Sequence, residues 1–189
     1  MPDQALPWRP ELLDALRLFA RVSDALSERG LPRPVLVGGG AVEFYSGSAL
    51  MTGDLDVTSP VQPQLEEELR RFGFVKPSGP GQLLKGWIHP ELGLGFEVVA
   101  RTPMDGAPDA ARFRLIQPDG EDARFRIIAV EDLIADRMGQ FGSGSGGSDE
   151  MREQARILLG LYSDADRDYL EKRIRHETAG DYGIEDIES

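Results

Sequence analysis

Cysteine is absent from this 189-residue chain. A disulfide framework, a thiolate zinc site and a cysteine nucleophile are therefore excluded, and a reducing compartment suits the composition. Histidine occurs twice, as His89 before a proline and His176 in a late helical segment, and neither has a metal-ligand partner at useful spacing. No window approaches the roughly 18 apolar residues of a membrane span. The N-terminal stretch MPDQALPWRPELLDALRLF has neither the basic start nor the long apolar centre of a secretion signal. The expectation is a cytoplasmic protein with no membrane contact. Positive charge is also scarce: 21 Lys and Arg stand against 33 Asp and Glu, for a net charge of −12. Such a surface repels phosphate backbones, which argues against generic DNA binding. Hydrophobic residues make up 40% of the chain, ordinary for one globular core with room for a helical annex.

The pattern along the chain divides it in two. Residues 10–30 place Leu12, Leu13, Leu16, Phe19, Ala20 and Val22 at helical spacing, behind a proline and ahead of Gly30. VLVGG (35–39) reads as a short buried strand, AVEFYSG as a helix packed close to it, DLDVTS (54–59) as a second strand and QLEEELRRFGF (64–74) as an amphipathic helix. LLKGWIH (83–89) and LGFEVVAR (94–101), joined by turn residues, read as an antiparallel hairpin. A second hairpin is expected from RFRLI (112–116) and RFRII (124–128). Simple alternation puts Arg112, Arg114, Arg124 and Arg126 on one face and Phe113, Leu115, Phe125 and Ile127 on the other. From Val130 onward the pattern is helical. GSGSGGS (142–148) reads as a flexible linker rather than a phosphate loop, having no strand before it and no lysine after it, and DYGIEDIES reads as a solvated acidic tail. The expected organisation is an α/β (α+β) core over 1–130, with a mixed, largely antiparallel sheet flanked by helices, and a C-terminal helical region over 131–189.

One stretch carries chemistry. In VGGGAVEFYSGSALMTGDLDV (37–57), three glycines close one apolar run and two aspartates open the next. Glycines lose backbone entropy on folding and neighbouring carboxylates repel, so neither choice suits a plain scaffold. Alternation puts Asp54 and Asp56 on one face, roughly 7 Å apart, with Leu55 and Val57 turned into the core. Two such carboxylates can share Mg²⁺, which takes oxygen ligands and binds through one or two carboxylates plus substrate phosphates. Glu97 stands inside the apolar strand LGFEVVA, where a lone carboxylate is expensive to bury. If its strand adjoins that of Asp54, the three acids form one cluster. The backbone N–H groups of Gly38, Gly39 and Gly40 can cradle a phosphate at a helix N-terminus. Close strand–helix packing explains one glycine more readily than three, which favours phosphate contact. Thr52 reads either as a phosphate contact or as a turn cap, and Lys85 as an edge-strand charge or a triphosphate clamp.

Val37-Gly38-Gly39-Gly40, then Asp54-Leu55-Asp56-Val57, then Phe96-Glu97-Val98 resemble the DNA polymerase β-type nucleotidyltransferase superfamily. GGGAVEFYSGSALMTGDLDV is similar to its bacterial branch related to nucleotidyltransferase toxins and antibiotic nucleotidyltransferases, and VEDLIADRM resembles the helix that follows the sheet there. Arg137 stands in that helix where a lysine commonly faces the triphosphate. The segment Ser48-Ala49-Leu50-Met51 lacks the basic residue the branch often carries, and Glu97 replaces the commoner aspartate.

The resemblance implies a nucleotidyltransferase moving NMP from an NTP to an acceptor hydroxyl on an RNA end, a protein or a small molecule. Asp54, Asp56 and Glu97 would be the catalytic residues and the ligands of Mg (or Mn). Gly38, Gly39, Gly40, Thr52, Lys85 and Arg137 would bind the nucleotide, ATP being one candidate. A toxin of a toxin–antitoxin pair, partnered by an antitoxin protein, is one form of this reading. The alternative is a catalytically silent nucleotidyltransferase-like module that binds a partner protein or a nucleotide.

Overall fold

The computed structural model describes residues 8–77, 86–92, 94–144 and 148–188. The chain divides into two compact units, 7–128 and 129–189. In the first unit, helix α1 (Pro10–Glu28) begins with its proline at the first turn, where the missing N–H is no loss. It ends beside Gly30, which takes a left-handed φ of +72°. Strand β1 (Val35–Val37) runs directly into helix α2 (Gly38–Ser46), so the glycines form the first turn of the helix rather than the end of the strand. Strand β2 (Asp54–Thr58) and helix α3 (Gln62–Arg71) follow. Strands β3 (Trp87–Ile88), β4 (Gly95–Ala100), β5 (Arg114–Ile116) and β6 (Phe125–Ile127) complete the sheet.

Among the described residues these six strands form one mixed sheet in the order β3-β4-β2-β1-β6-β5. The pairs β1–β2, β3–β4 and β5–β6 are antiparallel, whereas β1–β6 and β2–β4 are parallel. The α/β class with a mainly antiparallel sheet is therefore as the sequence suggests. The core forms where α1 meets the sheet: the Phe19 ring lies 5.8 Å from that of Phe96 on β4 and 5.4 Å from that of Phe125 on β6. Aromatic rings at such spacing add edge and stacking attraction to the area they bury.

The four-arginine face does not form. β5 and β6 pair as Arg114↔Ile127, Leu115↔Arg126 and Ile116↔Phe125. Arg114 thus shares the core-side face with Ile127, its guanidinium 5.9 Å above the Tyr45 ring, while Leu115 is exposed beside Arg126. Arg112 lies outside the strand, in a short 3₁₀ turn (Ala110–Arg112). The register is offset by one residue from the symmetric alignment of the two RFR runs, and one such step exchanges the faces of a whole strand.

The second unit contains α4 (Val130–Gly142), α5 (Ser148–Leu161), α6 (Arg167–Glu177) and α7 (Glu185–Glu188). Of the 142–148 linker, residues 145–147 lie outside the described residues. α4 packs against both α5 and α6. Its Asp132 is fully buried and accepts hydrogen bonds from Arg173 Nε at 2.6 Å and from the Tyr169 hydroxyl at 2.9 Å, which ties α4 to α6. The acidic C-terminal stretch is not a solvated tail. Ile184 and Ile187 are buried, the Ile184 N–H donates to Glu171, and Arg175 pairs with Glu185. Burial of these two isoleucines, three residues apart, favours the folded-back segment, and Arg167 and Arg175 of α6 pair with its acids Glu188 and Glu185. Among the described residues no helix is long and apolar enough to cross a membrane.

Candidate metal and nucleotide site

The site grows out of two parallel strands. β2 and β4 pair Asp54 with Gly95 and Asp56 with Glu97. Paired residues point to the same face of a sheet, and residues two apart on one strand do so as well, so all three acids emerge together. One carboxylate oxygen from each of Asp54, Asp56 and Glu97 lies within 4.8 Å of the others. All three residues are half-buried, while Leu55 and Val57 between and beyond them are buried in the core. Three anionic oxygen donors converging at this spacing suit a hard divalent cation such as Mg²⁺ or Mn²⁺ and offer nothing to a thiophilic metal.

On the other side of β2 stands β1, whose Val37 pairs with Asp56. The next residue, Gly38, therefore starts its helix against that carboxylate. Gly38 has φ +59°, and a Cβ there would lie 2.1 Å from Asp56 Oδ2, so both backbone conformation and space demand glycine. A Cβ on Gly39 would meet Thr52 Oγ1 at 2.7 Å, and one on Gly40 would meet Leu55 Cδ2 at 2.6 Å. Each glycine has its own close neighbour on the 52–56 segment. Close packing thus accounts for the missing side chain at all three positions, and it is compatible with the phosphate contact expected of their N–H groups. The Gly39 N–H donates to Asp56 Oδ2 at 3.3 Å, linking the opening turn of α2 to the acidic cluster.

Thr52 occupies the gap between the glycine turn and Asp54. Its hydroxyl lies 3.5 Å from Asp54 Oδ1, at the outer limit of a hydrogen bond. Its main chain is held more firmly: the N–H donates to Glu43 Oε2 at 2.7 Å, and the carbonyl accepts from Arg9 Nη2, also at 2.7 Å. Glu43 is fully buried, yet its carboxyl is held below the ordinary carboxylate range. Burial alone would raise it, but hydrogen bonds from the Arg9 guanidinium, the Thr52 N–H and the Ser48 hydroxyl outweigh that effect. The sequence did not single out Arg9 or Glu43. A signal was present, since a glutamate inside AVEFY is as costly to bury as the glutamate inside LGFEVVA.

Arg137 lies on α4, in the helical unit. Its side chain is buried, with Nη2 3.3 Å from Asp136, Nη1 3.3 Å from the Met151 sulfur, and Nε without a hydrogen-bond partner. Burial raises the Asp136 carboxyl above its ordinary range despite the arginine beside it. Lys85 lies outside the described residues.

No protein-family profile and no curated protein sequence matches the chain. Solved structures do. An antigenic nucleotidyltransferase-like protein from Paracoccidioides brasiliensis superposes with a TM-score of 0.58 over 90% of this chain and 88% of that one, at 13% identity. The fold is that of the nucleotidyltransferases. The antibiotic-resistance factor ANT(2'')-Ia shares it, with a TM-score of 0.52 over 88% of this chain and 90% of its own, at 15% identity. Within this nucleotidyltransferase fold the acidic cluster sits on the two parallel strands at the heart of the sheet, next to the glycine turn.

Proposed function

We propose that this chain is a nucleotidyltransferase, transferring NMP from a nucleoside triphosphate to an acceptor hydroxyl. The observation that carries the proposal is the convergence of Asp54, Asp56 and Glu97 within 4.8 Å of one another, beside the glycine turn, on a nucleotidyltransferase fold. Asp54, Asp56 and Glu97 would hold magnesium or manganese. Such an ion, when bound, supplies Lewis-acid polarisation of the phosphoryl oxygens and lowers the pKa of a coordinated hydroxyl.

The protein's own groups have distinct tasks. Asp54 and Asp56, fixed by the buried Leu55 and Val57, keep the acidic face pointed at the triphosphate. The α2 N-terminus offers first-turn N–H groups and a favourable dipole for phosphate oxygens, with Gly38 to Gly40 and Thr52 closest to them. Glu97 takes the acceptor hydroxyl proton as that oxygen bonds to the α-phosphorus. The bond to the bridging β-phosphate oxygen breaks, and pyrophosphate leaves with the electron pair. Arg137 belongs to the proposal as a further triphosphate cation on the resemblance alone. Lys85 belongs to it on the resemblance alone.

The acceptor is an RNA 3′ end, a protein hydroxyl or a small molecule. A toxin held by an antitoxin protein is the form of the proposal in which the acceptor is a cellular RNA or protein. The test incubates the full chain with each labelled NTP, Mg²⁺ or Mn²⁺ and a cell extract, beside Asp54→Ala/Asp56→Ala. Label that moves into RNA, protein or a small product with the wild type alone supports transfer and names the acceptor. Equal labelling by both, or none with any nucleotide, overturns it in favour of a silent binding module.

A further inference from the structure

We propose that the Arg9–Glu43 ion pair is a positioning device for the acidic cluster, acting through Thr52 to set its affinity for a divalent cation. The inference rests on the metal-binding reading above. The pair joins two segments 34 residues apart, the entry to α1 and the second turn of α2. Glu43 Oε1 accepts from Arg9 Nε at 2.5 Å and from the Ser48 hydroxyl at 3.0 Å. Oε2 accepts from Arg9 Nη2 at 3.0 Å and from the Thr52 N–H at 2.7 Å. Arg9 also reaches the 47–53 loop twice more, through its own N–H to Ser48 Oγ at 3.0 Å and through Nη2 to the Thr52 carbonyl.

Both main-chain groups of Thr52 are therefore clamped by one ion pair, and two residues later the chain delivers Asp54. Further hydrogen bonds of the loop are local ones that cap α2, from the Ser48 N–H to the Glu43 carbonyl at 3.0 Å, the Ala49 N–H to the Ser46 carbonyl at 3.2 Å and the Leu50 N–H to Ser46 Oγ at 3.1 Å, and none of these three holds Thr52. Ala49, Met51 and Gly53 are exposed, Met51 at 73%, and Ser48 holds a left-handed φ of +61° that a residue with a Cβ seldom adopts. Bringing Asp54 toward Asp56 and Glu97 without a cation costs electrostatic energy, so the loop must be fixed from behind. A fully buried carboxylate with four donors, kept ionised, provides that anchor. The 48–51 segment has no basic residue of its own, and the guanidinium arrives instead from a point 43 positions before Thr52.

The test measures Mn²⁺ binding to the full chain by calorimetry. The variants are Arg9→Ala, Glu43→Gln and, as a triad control, Asp54→Asn/Asp56→Asn. A further control, Arg29→Ala, removes an equally short ion pair to the buried Glu68 that has no path to the cluster. Outer-shell groups of this kind change metal affinity by roughly ten- to a hundredfold, and a loss of about tenfold is expected for Arg9→Ala and Glu43→Gln, with none for Arg29→Ala. Thermal melts establish that each variant is folded. Millimolar guanidinium should restore part of the Mn²⁺ affinity of Arg9→Ala, because that side chain is partly open to solvent; a general loss of stability would not respond in this way. Unchanged Mn²⁺ affinity in folded Arg9→Ala and Glu43→Gln overturns the positioning role while leaving the metal site standing. Absence of Mn²⁺ binding that the triad control removes overturns both.

Discussion

Glu43 in the α/β unit and Asp132 in the helical unit are both fully buried carboxylates paired with an arginine, and their acidities move in opposite directions. Burial is the largest influence on each and pushes both carboxyls up. For Glu43 the guanidinium is joined by a backbone N–H and a hydroxyl, and together they bring it below the ordinary range. For Asp132 the Arg173 guanidinium and the Tyr169 phenol do not overcome burial, and the nearby Glu131 charge adds to the rise. Burial therefore does not decide the sign; the supply of donors does. The carboxylate given a surplus of donors is the one behind a strained loop next to the acidic cluster. The one given fewer ties helix to helix. A packing strut can tolerate partial neutralisation, whereas an anchor that must hold the Thr52 N–H and the Arg9 guanidinium cannot.

The largest effect on stability should come from the helical pair. Asp132→Ala leaves Arg173, whose side chain is only 7% exposed, without its main partner. A loss of about 3 kcal/mol is expected in urea unfolding, the low end for breaking a buried pair because Glu177 still contacts Arg173. Glu43→Ala should destabilise less, by about 1–2 kcal/mol, since the Arg9 side chain is 25% exposed and can turn to water, leaving chiefly the Thr52 N–H unsatisfied. Equal losses from the two substitutions would break the distinction between strut and anchor. A larger loss from Glu43→Ala would reverse it.

Much of this was legible in the chain. The helix over 10–28, the strand placing Asp54 and Asp56 together, and the strand carrying Glu97 all follow from periodicities of 3.6 and 2 with punctuating glycine and proline. The adjacency of β2 and β4 was conditional, and it rests on a parallel pairing that no local pattern encodes. The β5–β6 register is not legible in the same way, because the similarity of the two RFR runs invites symmetric alignment while the observed pairing lies one residue away. In the final acidic stretch net charge hides Ile184 and Ile187, which are buried where Arg175 of α6 pairs with Glu185. The Arg9–Glu43 clamp is hidden for a similar reason: its partners, 34 residues apart, meet only once α1 and α2 have been placed.

Acid should separate the two carboxylates by sign. The folded pKa of Glu43 lies below its unfolded value, so its contribution to stability is complete above the unfolded pKa of about 4.3 and is lost as pH falls through the folded value. The folded pKa of Asp132 lies above its unfolded value, so the native state takes up its proton first and gains relative stability as pH falls through that value. The advantage of wild type over Glu43→Gln should shrink on acidification, and that over Asp132→Asn should grow. Denaturant unfolding of both variants at a series of pH values measures this, and parallel slopes would refute the opposite assignments.

The smallest effect sharpens the argument about donor supply. Ser48→Ala removes one hydroxyl that donates to Glu43 and accepts from the Arg9 N–H, and about 1 kcal/mol should be lost. Ser48→Gly loses the same hydrogen bonds but relieves the +61° φ, so it should be less destabilised than Ser48→Ala. The useful measurement is the titration of Glu43 by carboxyl NMR in each. If donors set its acidity, both variants raise the Glu43 pKa by the same amount while differing in stability, because the hydroxyl acts on the charge and the backbone strain does not. A pKa that followed stability instead would mean that loop order, rather than hydrogen bonding, keeps this carboxylate ionised.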